Sequence, residues 1–346
     1  MSDVAVLILH PEPGPRAGEL ERWVANARAT MAERHRGSFL AAGATDVTVT
    51  GGPPDGIPFG ARLRAFVLSH PTKGVVALGS GAIPLAGPAD LLAFVEAAAA
   101  DDSRALTNNR FSADIVAVSR AEVLQNVPDL TTDNALPRWL AEVAGYEVTD
   151  LRRRWRLGVD IDGPLELVLL GSAAGPVSAE IVDRVKVRLA DVRAVAADPG
   201  AELIVAGRTS TSGLAWLERR IAARTRAIVE ERGLRTAIAG QRPPRSVLGA
   251  LLDRDGPASL GRLLAELGEG ALVDSRVLLA HRLGADQATW PLPEDRFASD
   301  LLLYERVADP WLKELTRAAA SAPIPIVLGG HTLVGPGIRL ALRQRR

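Results

Sequence analysis

The sequence predicts an α/β protein made of two successive domains, residues 1–171 and 172–346. Three observations predict it. Short apolar runs, such as residues 4–9 (VAVLIL) and 75–78 (VVAL), read as strands covered on both faces. Gly- or Pro-rich turns follow them, and then stretches with apolar residues at helical spacing. Finally, 346 residues exceed what one core usually holds, and a break of small residues over 171–176 lies near the middle.

In the first half, strand 4–9 gives way to the Pro/Gly-rich stretch 10–18. A helix is expected over 19–42, with Leu20, Val24, Ala27 and Met31 on one stripe. A strand over 46–50, a loop over 51–56 and a helix over 59–68 come next. Strand 75–78 then runs into a turn containing Gly79 and Gly81, and a helix opens near Pro88, where proline's fixed φ suits the first turn. Residues 105–110 lead into a strand over 114–118. A helix is expected over 133–144, with Asp133 and Asn134 at its start, and strands over 146–151 and 155–159. Residues 160–167 read as a strand handing over to a helix near Pro164. In parallel sheets covered by helices, ligands lie outside the carboxyl ends of the strands.

In the second half, Ser178 is expected to cap a helix to 196, followed by a strand over 201–206. The loop 207–213 (GRTSTSG) is a hydroxyl-rich turn before a helix to 232. It suits an anion or a plain helix cap, and it lacks the Gly-Lys-Ser/Thr ending of a P-loop. Glu218, Arg219, Arg220, Arg224 and Arg226 read as the solvated face of that helix. A basic loop over 241–245, helices near 246–252 and 259–267, a strand over 271–280, a helix over 290–308 and a strand over 324–328 complete the pattern.

Composition bounds the function. Net charge is zero, so neither bulk nucleic-acid binding nor attachment to an anionic membrane is expected. There is no cysteine, which removes disulfides, thiolate catalysis and cysteine-ligated metals. Lysines occur only at Lys73, Lys186 and Lys313. No apolar run reaches the roughly 18 residues that span a bilayer, and no charged-then-apolar leader opens the chain, so a cytoplasmic protein is expected. Gly79, Gly81 and Gly87 do not form a dinucleotide fingerprint, because Pro84 takes the third glycine position.

Candidate residues fall into two groups. In the first half, Asp160 and Asp162 flank Ile161, and residues two apart on a strand face one side, so both carboxylates could meet one cation. Alternatively, Asp162 caps the helix at Pro164. The polar phrase Asn108-Asn109-Arg110-Phe111-Ser112-Ala113-Asp114 suits a sugar or base, or an ordinary turn. In the second half, Asp274, Arg276, His281, Asp295, Arg296, Asp300 and His331 form a possible constellation. Two strands ending in His281 and His331 would bring two imidazoles to one edge, as a metal or acid–base site requires. Glu294 and Asp295 fit equally well as helix-start residues.

The phrase GSGAIPLAGPADLLAFVEA followed by VDIDGPLELVLL, over about residues 1–171, resembles the nucleotidyltransferase branch of the GT-A fold. That branch includes the molybdenum-cofactor guanylyl- and cytidylyltransferases and the phospholactate guanylyltransferases. The resemblance implies a Rossmann-like, mostly parallel sheet, an NTP substrate, and Mg²⁺ or Mn²⁺. It implies nucleotide contacts from Arg16, Gly18, Gly79, Gly81, Asn108 and Asn109, and catalytic or metal roles for Asp114, Asp160 and Asp162. The sequence departs from the family at two positions. The family's metal-binding Asp maps onto Ala82, and its loop lysine onto Glu21. A metal would need Asp114, Asp133, Asp160 or Asp162 instead, and Arg16 or Arg22 would have to contact phosphate. The expectation is therefore a protein that binds a nucleotide or nucleotide sugar, with a displaced or weakened metal site. The alternative is an inactive binding or assembly module, with any chemistry in the second constellation. The expected partner is a small-molecule nucleotide or sugar phosphate, with no nucleic acid and no membrane; a homodimer is compatible.

Overall fold

The computed structural model describes residues 3–53, 55–172, 179–231 and 243–343. Two compact units are formed, one from Met1–Arg16 with Ala25–Ile161, the other from Ala17–Val24 with Asp162–Arg346. Ser178, Gln241 and Arg242 lie outside the described residues, as does most of the small-residue break.

The first unit alternates strands and helices as expected. Its elements are β1 (Val4–Pro11), α1 (Glu19–Ala41, whose first turn belongs to the second unit), β2 (Asp46–Gly52), α2 (Phe59–Ser69), β3 (Gly74–Gly79), α3 (Pro88–Ala98), β4 (Arg104–Thr107), β5 (Ile115–Val118), α4 (Leu136–Glu142) and β6 (Glu147–Asp150). The sheet order is β2-β1-β3-β5-β4-β6. Only β5 runs against its neighbours, β3 and β4. Val4, Val6, Ile8, Val76 and Leu78 face one apolar layer with Phe39 and Phe94. Ala5, Leu7, Val75 and Ala77 face the other, with Leu63 and Phe66. Coverage on both faces explains why these strands read as unbroken apolar runs. α3 starts where proline predicts, and Asp90 accepts the Gly87 N–H at 3.0 Å.

Residues 155–158 are a correction. They form a short 3₁₀ turn rather than a strand. Only Asp160 returns to extended pairing, in an isolated antiparallel bridge with Ala82.

The second unit holds α5 (Pro164–Leu170), α6 (Ala179–Ala197), β7 (Glu202–Gly207), α7 (Thr211–Arg220), β8 (Arg224–Val229), α8 (Val247–Asp255), α9 (Leu260–Ala265), β9 (Gly270–Asp274), α10 (Ser275–Leu283), α11 (Pro293–Asp300), α12 (Pro310–Ala320), β10 (Ile326–Gly329), α13 (His331–Val334) and α14 (Ile338–Leu342). The described strands pair in the order β10-β9-β7-β8, all parallel. β7, β9 and β10 are buried, whereas β8 is a half-exposed edge.

Two expectations fail here, for opposite reasons. Arg224 and Arg226 lie on edge strand β8, not on a helix. Charged edge strands lack an apolar run and discourage unwanted pairing. The expected strand over 271–280 is instead β9 followed directly by α10. β9 and α10 as far as His281 are buried throughout, so no periodicity marks the junction. The mark is Asp274, whose Oδ1 accepts the Arg276 N–H at 3.1 Å and caps α10. No described helix is long and apolar enough to cross a membrane.

Candidate functional site

In the first unit, the chain runs from β1 outward to β2 and then crosses back to β3 on the other side of β1. The carboxyl ends of β1 and β3 are therefore a topological switch point, where ligands of such sheets bind. His10 closes β1 there, with its Nδ1 3.0 Å from Ser80 Oγ. Burial pulls the His10 imidazole below its ordinary pKa, with Glu12 opposing and Arg28 assisting. A Cβ placed on Gly79 would meet no atom within 4 Å, so the backbone beside this pair is open to approach. Next to it, the Gly79 N–H reaches the Asp114 carbonyl at 3.3 Å.

The polar phrase serves mainly its own loop. Asn108 Nδ2 donates to Asp114 Oδ2 at 2.6 Å and to the Leu157 carbonyl at 2.9 Å, while Asn108 Oδ1 accepts the Asp114 N–H at 3.0 Å. Asn109 Oδ1 accepts the Phe111 N–H at 3.0 Å, a local turn. Arg16 is exposed.

Position 82 does not fit a metal. Ala82 is 1% exposed, in the apolar cluster with Ile83, Leu91, Phe94 and Leu157. Its carbonyl accepts from His35 Nε2 at 2.8 Å. Burial pushes the His35 imidazole below its ordinary pKa, which favours the neutral ring with the proton on Nε2. The next residue, Ile83, sits at φ +45°, a left-handed conformation costly for a β-branched residue and held by complete burial. Gly81 is closely packed: a Cβ there would lie 2.9 Å from Asp160 Oδ1 and 3.1 Å from Arg28 Nε. Asp162 lies in the other unit, exposed, and the cap of α5 is Gly163 rather than Asp162. Among the described residues, no three His, Asp or Glu side chains group as a metal ion would need.

Gly18, another expected nucleotide contact, belongs to the second unit. A Cβ there would fall on the Glu294 carboxyl group. That carboxylate accepts the N–H groups of Leu20 at 3.0 Å and Glu21 at 3.1 Å. The first turn of α1 thus already holds an anion from its own chain.

The second constellation divides. His281 lies in the last turn of α10, not at a strand end. Its Nδ1 accepts the Ser246 N–H at 2.9 Å and its Nε2 pairs with Asp253 Oδ2 at 2.9 Å. His331 starts α13, beyond β10. Asp295 accepts the N–H groups of Ala308 at 3.0 Å and Asp309 at 2.8 Å, and serves loop structure.

Asp274, Arg276, Arg296 and Asp300 do converge, together with Glu166 and Arg208, which the sequence did not single out. Arg276 Nη1 and Nη2 clamp the two Asp300 oxygens at 2.7 and 2.5 Å, and Nη1 also reaches Ser275 Oγ at 2.8 Å. Burial works against the Arg276 charge, but Asp300, Asp274 and Glu166 more than offset it, so it stays a guanidinium. Glu166 is fully buried. Burial first, then Asp162 and Asp300, push its carboxyl up to about 8. Arg296 is pulled down to about 10 by burial and by Arg276; it lies over the Trp290 ring at 5.8 Å. Arg208 Nε stands 3.5 Å from Asp274 Oδ2. A lone Glu inside the apolar helix LELVLL, and an Arg directly after the strand ELIVAG, were the available signals for Glu166 and Arg208.

No protein-family model and no curated protein matches the chain. Solved structures with weak similarity include these two. One is a candidate nucleotide-diphospho-sugar transferase from Desulfovibrio desulfuricans G20, at 16% identity and a TM-score of 0.29, over 43% of this chain and 80% of that one. The other is Rv0371c from Mycobacterium tuberculosis H37Rv, at 17% identity and a TM-score of 0.28, over 43% and 88%.

Proposed function

We propose that the first unit binds a nucleotide or nucleotide sugar at the β1–β3 switch point, without a metal ligand at position 82. One observation carries this reading. The switch point is polar, with a half-buried His10 bonded to the buried Ser80 hydroxyl and open space beside Gly79, while the family's metal position is a methyl group sealed in the core. A base or sugar can meet the His10 imidazole, which Ser80 holds in place beside the open side of Gly79. Nucleotidyl transfer needs positive charge and a bridging cation at the triphosphate, so the reading assigns this unit to binding.

The test is a thermal-shift panel of NTPs and nucleotide sugars, each with and without Mg²⁺ or Mn²⁺. A ligand that binds only the folded state raises the melting temperature by mass action. The expected result is a shift with one nucleotide class that persists without metal and shrinks in Ser80→Ala. A shift that strictly requires metal, or none at all, overturns it.

A further inference from the structure

We propose that the second unit carries its own binding site, for a phosphorylated sugar, at the carboxyl ends of β7 and β9. This goes beyond the reading of the first unit and does not depend on it.

The topology fixes the place. From β7 the chain moves outward to β8, then returns past β7 to β9 and continues outward to β10. The switch point therefore falls between β7 and β9, and ligands of parallel sheets bind outside such points. The two strand ends are pressed together. Gly207 has φ +129°, and a Cβ on it would lie 2.3 Å from Asp274 Cβ, so only glycine fits both the conformation and the space.

Three polar atoms at or just after these strand ends have unused bonding capacity. Arg208 Nε, Thr209 Oγ1 and Asp274 Oδ2 are buried atoms without a hydrogen-bond partner among the described residues. Asp274 is 1% exposed. Its other oxygen is spent on the α10 cap, and its Oδ2 meets Arg208 only as a loose ion pair at 3.5 Å. Buried polar groups are nearly always bonded, so such a cluster calls for a missing partner. The neighbouring Arg276–Asp300 pair is saturated by contrast.

The chemistry of that partner follows. A hydroxyl oxygen accepts from Arg208 Nε–H while its hydrogen goes to Asp274 Oδ2. The Thr209 hydroxyl can serve a second sugar oxygen. Immediately after Thr209, ten-residue α7 begins, with Ser210 Oγ accepting the Gly213 N–H at 3.1 Å. The remaining first-turn N–H groups have no intrahelical partner and suit a phosphate. Sugar hydroxyls against Asp274 and a phosphate at α7 together describe a sugar phosphate.

Isothermal titration of the full chain with ribose 5-phosphate, ribose and inorganic phosphate tests this. Ribose 5-phosphate should bind at least tenfold more tightly than either fragment. Asp274→Asn, which keeps the capping oxygen, and Thr209→Val, which keeps the shape, should each weaken it tenfold or more in protein that still unfolds cooperatively, and Thr209→Val, which leaves every charge in place, should do so with the melting temperature nearly unchanged. Ser80→Ala should leave it unchanged while reducing nucleotide binding, which separates this site from that of the first unit. Absence of binding, equal binding by both variants, or a crystal structure grown with ribose 5-phosphate that shows only a water bridging Arg208 and Asp274 would overturn the proposal.

Discussion

The two sheets place charge in opposite ways. In the first unit, ionic groups stay at the rim. Asp90 is buried, yet its partners Arg154 and Arg156, both at 2.9 Å, are half exposed. The centre of the turn after β3 is filled by Ala82 and Ile83. In the second unit, Asp274, Arg276, Asp300 and Glu166 are buried beside the strand ends. Burying charge costs stability unless every group is paired, which makes such a cluster a candidate functional site. The same topological rule locates a switch point in both sheets, but what lines it differs. One offers neutral polar groups and open backbone, the other a charged cluster with unmet hydrogen bonds.

Substitutions should break or sharpen this contrast. The largest effect is expected from Ala82→Asp, which buries a carboxylate in an apolar cluster and should cost at least about 4 kcal/mol in urea unfolding. Recovery of that loss by Mg²⁺ or Mn²⁺ would show that position 82 can still hold a metal. Arg276→Ala strands Asp300 and should cost about 3–5 kcal/mol. Asp90→Ala in the first unit, losing a cap and two solvent-screened pairs, should cost only about 1–2 kcal/mol. Similar losses in both would erase the contrast.

A pH titration comes next. The Glu166 carboxyl is raised from 4.5 to about 8 in the folded state, so the folded chain holds a proton that the unfolded chain has released. Its contribution is complete below about pH 4.5 and is lost as pH rises through about 8, at roughly 1 kcal/mol per pH unit within the window. Glu166→Gln should flatten that decline. Asp90 works in the opposite sense. Burial raises its pKa, but the Gly87 N–H, Arg156 and Arg154 override this and hold it below the usual range, so its contribution fades in acid. The smallest effect is expected from Ser210→Ala, which removes the α7 cap at about 1 kcal/mol.

Sequence patterns revealed elements whose signals are local. Apolar runs located β1, β3, β7 and β10, and proline located the starts of α3 and α5. The edge strand β8 and the β9–α10 junction were hidden, because one has too few apolar residues and the other nothing but buried ones. Sites were harder to read, since they depend on which strand ends become neighbours. Asp274 and Arg276 were visible as charges inside an apolar run. Glu166 and Arg208 join them only through long-range packing, and the strand order that makes His10 and Ser80 neighbours is not written in either segment alone.

The carboxylate of Glu294 on the first turn of α1 has a consequence for competition. An incoming anion does not meet bare N–H groups there; it meets a rival tethered through the fold. A tethered group acts at an effective concentration of roughly millimolar or above, so a free phosphate ester must be present at a higher concentration, or bind more tightly, to take its place. The helix start therefore behaves as a threshold, admitting only anions that outbid a partner that never diffuses away.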